Sequence, residues 1–189
     1  MKIENAPLPG VLIIQPRRFS DDRGFFLESF NEQRFAEHGL PTFFPQDNHS
    51  RSIKNVLRGL HYQRRQPQGK LVTVIRGDIF DVSVDLRRDS PTFGQWYSHV
   101  LSDVEPRYLW VPPGFAHGFY VLSDVADVVY KCTDLYNAAD EGGLMWNDPA
   151  LGIKWPGRTP ILSEKDRSYL PFSSNRTDLP LARLDSAAR

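Results

Sequence analysis

Phe80-Asp81-Val82-Ser83-Val84-Asp85-Leu86 alternates apolar and polar residues without a break. Successive side chains of an extended chain point to opposite faces. Phe80, Val82, Val84 and Leu86 therefore share one face and Asp81, Ser83 and Asp85 the other. Polarity alone does not say which face is wet. A barrel with a site inside it turns Asp81 and Ser83 inward, whereas Asp85, at the strand's end, is expected at the surface. Similar short runs bounded by turn residues recur at 11–14, 24–30, 56–61, 70–75, 79–86, 96–101, 108–111, 117–122 and 127–135. Fifteen prolines and thirteen glycines punctuate them. Helices are expected to be few. One runs from an Asn31 cap through His38 with Gly39 as its stop. Another opens at Ser163-Glu164-Lys165-Asp166, a capping box with Asp in the Glu place. This pattern predicts a mostly β, antiparallel architecture: a jelly roll, a cupin-like sandwich or a closed barrel. Pairing of sheet edges between two subunits is an expected way of covering them.

The 189 residues suit a single domain over 1–172, with a polar stretch at 173–189 expected to be disordered or loosely docked. A net charge of +0 argues against a general nucleic-acid binder. The one cysteine, Cys132, excludes an intramolecular disulfide and lies in a strand-like run, where a buried, inert thiol is expected. No apolar signal region and no run of membrane-spanning length occurs, so a cytoplasmic location without membrane partners is the expectation.

The chemistry concentrates in Arg58-Gly59-Leu60-His61-Tyr62-Gln63, followed by Lys70. Histidine moves protons near neutral pH. Arginine and lysine hold phosphate or steady an oxyanion. A base among cations suggests proton transfer on an anionic substrate. Such a base needs a partner to fix its tautomer, and Asp81, Asp85 and Asp166 are all candidates. Tyr130, among valines, is either a core aromatic or a general acid facing His61. Tyr136 is either a packing aromatic or a platform for a nucleobase. Pro112-Pro113-Gly114-Phe115-Ala116-His117-Gly118 resembles the second cupin signature, whose histidine binds metal. The place of the first signature reads His61-Tyr62-Gln63, with one histidine only. Too few ligands remain for a metal site, and none is expected.

Gly59-Leu60-His61, Gln46-Asp47-Asn48-His49-Ser50, Asp89-Ser90-Pro91-Thr92-Phe93-Gly94, Pro113-Gly114-Phe115-Ala116-His117-Gly118-Phe119 and Trp146-Asn147-Asp148 together resemble the dTDP-4-dehydrorhamnose 3,5-epimerases, from about residue 11 to about residue 170. The resemblance implies a cupin-like jelly roll, a homodimer, and no cofactor. It implies inversion of C3 and C5 in a dTDP-linked 4-keto-6-deoxyhexose. His61 matches the catalytic base, Asp166 its partner, Tyr130 the general acid, and Lys70 the cation at the C4 carbonyl oxygen. Arg23, Glu28, Gln46, Asp47, Asn48, Arg58, His117, Glu141 and Lys165 match substrate-binding positions. Tyr136 matches the aromatic that stacks on thymine. A swapped N-terminal strand in the family makes Arg23 and Glu28 candidates for crossing between subunits. The competing readings are a related dTDP-sugar 3- or 5-epimerase, a metal-dependent cupin enzyme, or a non-catalytic sugar-binding jelly roll.

Overall fold

The computed structural model describes residues 1–181. Its strands are β1 (Lys2–Asn5), β2 (Leu12–Gln15), β3 (Arg18–Asp21), β4 (Gly24–Leu27), β5 (Gln46–Ile53), β6 (Leu57–Gln63), β7 (Lys70–Arg76), β8 (Asp78–Asp85), β9 (Trp96–Ser102), β10 (Tyr108–Val111), β11 (Phe115–Val121), β12 (Val125–Cys132) and β13 (Glu141–Gly143). Two short helices join them, α1 (Glu32–Glu37) and α2 (Glu164–Ser168). The strands form a six-stranded sheet, β1-β2-β10-β7-β12-β5, a five-stranded sheet, β13-β6-β11-β8-β9, and a separate hairpin, β3-β4. Pairing within the sheets is antiparallel, as the jelly-roll expectation requires.

Three apolar layers follow from period-two alternation. Val72, Val74, Leu109, Val111 and Val128 of the first sheet meet Ile79, Leu101, Phe115, Phe119 and Val121 of the second. On the outer side of the six-stranded sheet, Tyr108 and Trp110 alternate out of that core to meet Phe35 of α1 and Leu40. Asn31 caps α1 by accepting from the Arg34 N–H, and Gly39 follows at φ +66°, so the expected start and stop are both present.

β8 resolves the question its sequence left open. Val82, Val84 and Leu86 face outward and are covered by Leu144, Leu151 and Leu179, with Trp155 and Phe172 packed alongside. Leu144 and Leu179 are almost fully buried, each worth about 1.5–3 kcal/mol by area. The polar face turns inward, and Asp81 and Ser83 are completely buried. Asp85 departs from the surface position expected for it: it too is completely buried. Its Oδ1 accepts from Arg87 Nε at 2.9 Å, and its Oδ2 accepts from Arg87 Nη2, Ser90 Oγ and Thr92 Oγ1. Five atoms of the following loop thus take the place of water around one carboxylate, counting the Arg87 N–H. The residues that supply them come after the strand, beyond the reach of an alternation argument.

Sequence patterning misses β1, β3, β5 and β13. β5 matters most: Gln46-Asp47-Asn48-His49-Ser50-Arg51-Ser52-Ile53 is polar on both faces, so it carries no apolar alternation. Of the polar stretch at 173–189, residues 173–181 include a buried Leu179 and an Arg176 whose Nη2 donates to Tyr62 Oη and to the Gly143 carbonyl. The remaining eight residues lie outside the described part of the chain.

Gly59 and Gly118 bring β6 and β11 unusually close. A Cβ on Gly59 would lie 2.6 Å from Gly118 Cα and 2.8 Å from the His117 carbonyl, at φ +117°. Gly59→Ala is expected to cost about 2–4 kcal/mol, from strain and overpacking together. Thermal unfolding should show a fall in Tm, and an unchanged Tm would contradict the close approach. Asp85 yields a pH-dependent prediction. Burial opposes its ionisation, and the bonds from Arg87, Ser90 and Thr92 outweigh that, so its carboxyl is held below the ordinary 3.8. Its stabilising effect is therefore complete above about pH 4 and lost as pH falls through the lowered folded value. Asp85→Asn should cost about 3–5 kcal/mol at neutral pH by leaving Arg87 unpaired. The difference from wild type in chemical unfolding should shrink below pH 4; a difference that stays constant through that range would refute this account.

Candidate active site

Where the inner faces turn polar, the two sheets enclose a cavity of about 660 Å³. β5, β7 and β12 of one sheet and β6, β11 and β13 of the other contribute to its walls. His61, on β6, and Tyr130, on β12, therefore come from opposite sheets and line one space.

His61 Nε2 lies 2.5 Å from Asp166 Oδ1 across 105 residues of sequence. Of the three candidate partners, Asp166 is the one that meets His61. Asp81 instead binds Nε2 of His117 at 2.8 Å, and Asp85 binds Arg87. The capping box at the head of α2 explains how Asp166 is aimed. Ser163 Oγ accepts from the Asp166 N–H and donates to Asp166 Oδ2 at 2.8 Å. Helix capping and dyad geometry are thus one arrangement. Burial disfavours the charged form of Asp166. Its bonds to His61 and Ser163 and one from the Gly59 N–H outweigh this and hold the carboxyl below its ordinary value. A carboxylate on one ring nitrogen fixes the tautomer and stabilises the imidazolium, and leaves the other nitrogen for a reacting proton. The ring of Tyr169 meets His61 edge-on at 5.7 Å, fixing its plane from a second direction.

On the opposite wall, Lys70 pairs in register with Cys132, and Tyr130 lies two residues before Cys132 on β12. Lysine and tyrosine therefore share one face of one sheet. Burial pulls the Lys70 ammonium down from its ordinary value, and no carboxylate pairs with it among the described residues. Burial pushes the Tyr130 phenol up, so it stays protonated at neutral pH and can donate. The expected buried Cys132 is found there, its thiol likewise pushed up by burial and so held in the unreactive form.

Gln46, Asn48, Arg58, His117, Tyr136, Glu141 and Lys165 also line the cavity. Arg58 Nε donates to Ser52 Oγ, but no carboxylate neutralises the guanidinium among the described residues. Such an unpaired fork suits phosphate oxygens. Tyr136 is half exposed at the mouth; its hydroxyl donates to Glu141 Oε2, and Lys165 Nζ donates to both oxygens of Glu141, all at 2.8 Å. Asp47, Arg23 and Glu28 are not brought to the cavity. Asp47 alternates outward on β5 and pairs with Lys131. Arg23 sits on the exposed β3-β4 hairpin with Asp21, and Glu28 pairs with Arg34.

The sequence reading overlooked Ser163 as a partner of Asp166, the His117–Asp81 pair, and Gln63. Only Ser163 had left a signal, its place in the capping box. No group of three or more His, Cys, Asp or Glu able to hold a metal ion occurs among the described residues.

Comparison with known proteins agrees with this geometry. Residues 5–174 match the family model described as dTDP-4-dehydrorhamnose 3,5-epimerase. A dTDP-4-dehydrorhamnose 3,5-epimerase from Pseudomonas aeruginosa is 54% identical over 175 residues, covering 92% of this chain and 97% of the relative. A dTDP-4-dehydrorhamnose 3-epimerase from Streptomyces niveus is 40% identical over 178 residues, covering 93% and 86%. Among solved structures, a dTDP-6-deoxy-D-glucose-3,5-epimerase from Legionella pneumophila in complex with dTDP-4-keto-L-rhamnose superimposes with a TM-score of 0.91 at 49% identity, covering 96% of this chain and 98% of its own. With a family match over most of its length, a relative more than half identical to it, and a ligand-bound fold neighbour, this chain belongs to the dTDP-4-dehydrorhamnose 3,5-epimerase family.

Proposed function

We propose that this protein inverts C3 and C5 of dTDP-4-dehydro-6-deoxy-D-glucose, giving dTDP-4-dehydro-L-rhamnose, as a step of dTDP-L-rhamnose biosynthesis. The observation that carries the proposed mechanism is a histidine–carboxylate pair and a protonated phenol on opposite walls of one cavity. A single group that removes and returns a proton on one side cannot invert a carbon. Two groups on opposite sides can.

His61, oriented by Asp166, takes the proton at a carbon α to the C4 ketone. The C–H electron pair moves into the ring and the carbonyl pair onto oxygen, giving an enolate. The unpaired Lys70 ammonium stabilises that oxygen at little reorganisation cost. Tyr130 then delivers a proton to the other face. Each inversion leaves His61 protonated and Tyr130 ionised, so both exchange protons with solvent before the second centre reacts. General acid–base assistance of this kind supplies about 10²–10⁴-fold. Arg58 holds the diphosphate, and Tyr136 carries the thymine, with Gln46, Asn48, His117, Glu141 and Lys165 as further contacts around the substrate.

The working unit is a homodimer in the cytoplasm. Phe19, Phe25 and Phe26 are exposed on the β3-β4 hairpin beside Arg23, far more apolar surface than a free hairpin favours. A second copy seated there brings Arg23 and Glu28 toward its cavity, whereas Asp47 is turned away from the cavity of its own chain and pairs with Lys131.

In heavy water the product should carry deuterium at C3 and C5, read by NMR. Absence from both sinks the enolate route, and label at C3 alone replaces this reading with a 3-epimerase activity. In the same experiment Tyr130→Phe should slow epimerisation by at least about 100-fold while exchange at the first carbon persists; equal loss of both would remove Tyr130 as the opposite-face acid. Sedimentation should give a mass twice the 21.7 kDa of one chain, and a single-chain mass at micromolar concentration would refute the dimer.

A further inference from the structure

Gln63 has no part in the proton chemistry, yet it is only 3% exposed and stands two residues after His61 on the same strand. Its amide is used on both sides. Oε1 accepts from the Asn137 N–H at 2.7 Å, while Nε2 donates to the Gln66 carbonyl at 2.8 Å and to the Leu135 carbonyl at 3.2 Å. One acceptor and two donors are required at this point, which an amide supplies and a carboxylate does not. Leu135 and Asn137 are the residues on either side of Tyr136. The Tyr136 N–H goes to Gln46 Oε1 at 2.7 Å. The ring at the mouth is thus held by its own amide and by both neighbours, although it lies in an exposed segment with no strand of its own.

We infer that Gln63 is a positioning residue that fixes Tyr136 as the nucleobase platform before ligand arrives, by clamping the backbone on both sides of it to the strand that carries the catalytic base. The inference rests on the proposed role of Tyr136 in carrying thymine. Its physical basis is pre-organisation. A loop already ordered does not have to be ordered at the expense of binding, so removing the clamp weakens the nucleotide and spares the proton transfer. Gln63→Met keeps the length and apolar stem and removes all three hydrogen bonds.

The experiment is calorimetric titration of the full chain with dTDP, for wild type, Gln63→Met, Tyr136→Ala and the double variant, with kcat and KM measured alongside. Gln63→Met is expected to weaken dTDP about tenfold, and to raise KM similarly with kcat within about threefold. In the Tyr136→Ala background the same change should add less than about twofold, because a clamp has nothing left to hold. Wild-type affinity in folded Gln63→Met, with Tyr136→Ala weakened, overturns this inference alone. Full additivity in the double variant overturns it as well, since Gln63 would then act apart from Tyr136. Undiminished affinity in Tyr136→Ala overturns the platform reading and this one with it. Hydrogen exchange on the wild-type protein needs no variant. The Asn137 amide should be protected without dTDP almost as well as with it, and protection that appears only on adding dTDP overturns pre-organisation.

Discussion

The outer face of the five-stranded sheet is apolar, and the chain after β13 has to cover it. Val82, Val84 and Leu86 would otherwise meet water, so Leu144, Leu151, Trp155, Phe172 and Leu179 are laid across them. Two consequences follow. The inner face of the same strands is released from supplying all the hydrophobic burial and holds polar groups at one end. The covering segment also carries Asp166 back to within 2.5 Å of His61. The requirement to bury one face of a sheet thereby completes a dyad whose members are more than a hundred residues apart.

Charge in the interior is arranged with a clear division. Asp81 is matched to His117, Asp85 to Arg87 and Asp166 to His61, each at hydrogen-bond distance. Buried carboxylates without such partners would be costly. Lys70 and Arg58, by contrast, have no carboxylate partner among the described residues while lining the cavity. The cavity therefore carries cationic side chains that its own acids do not pair, Lys70 within it and Arg58 at an exposed position. That is the complement an anionic sugar nucleotide and a developing enolate oxygen require.

The hydrogen bonds at the mouth extend this order outward. Tyr136 bonds to Glu141, Glu141 to Lys165, and Lys165 stands beside Asp166 on α2. Gln63 ties the backbone around Tyr136 to β6. Tyr136 and the His61–Asp166 pair thus share one connected set of hydrogen-bonded supports anchored on β6, β13 and α2, the kind of support that holds side chains to a fixed geometry.

Much was legible in the residues alone. Period-two alternation in Phe80–Leu86, the density of turn residues, the Asn31 and Ser163 caps and the motifs around His61 and His117 yield the antiparallel class, both helices and the family, because these signals are local or lie in long ordered motifs. β5 was not legible, since polar residues on both faces leave no periodicity even though Gln46 and Asn48 line the site. Nor was the burial of Asp85, whose Arg87, Ser90 and Thr92 partners are supplied by a loop. Residue order alone was enough for the strands that carry an apolar alternation, for which of their residues share a face, and for the chemistry they resemble, but not for β1, β3, β5 or β13. The three-dimensional packing was needed to fix which face of β8 is inside, to bring Asp166 rather than Asp81 or Asp85 to His61 as the resemblance implied, to set Tyr130 on the opposite wall, and to tie Gln63 to the backbone on both sides of Tyr136. Alternation specifies a face but not its neighbour, and the neighbour is chosen by how two sheets and one covering segment bury their apolar surface together.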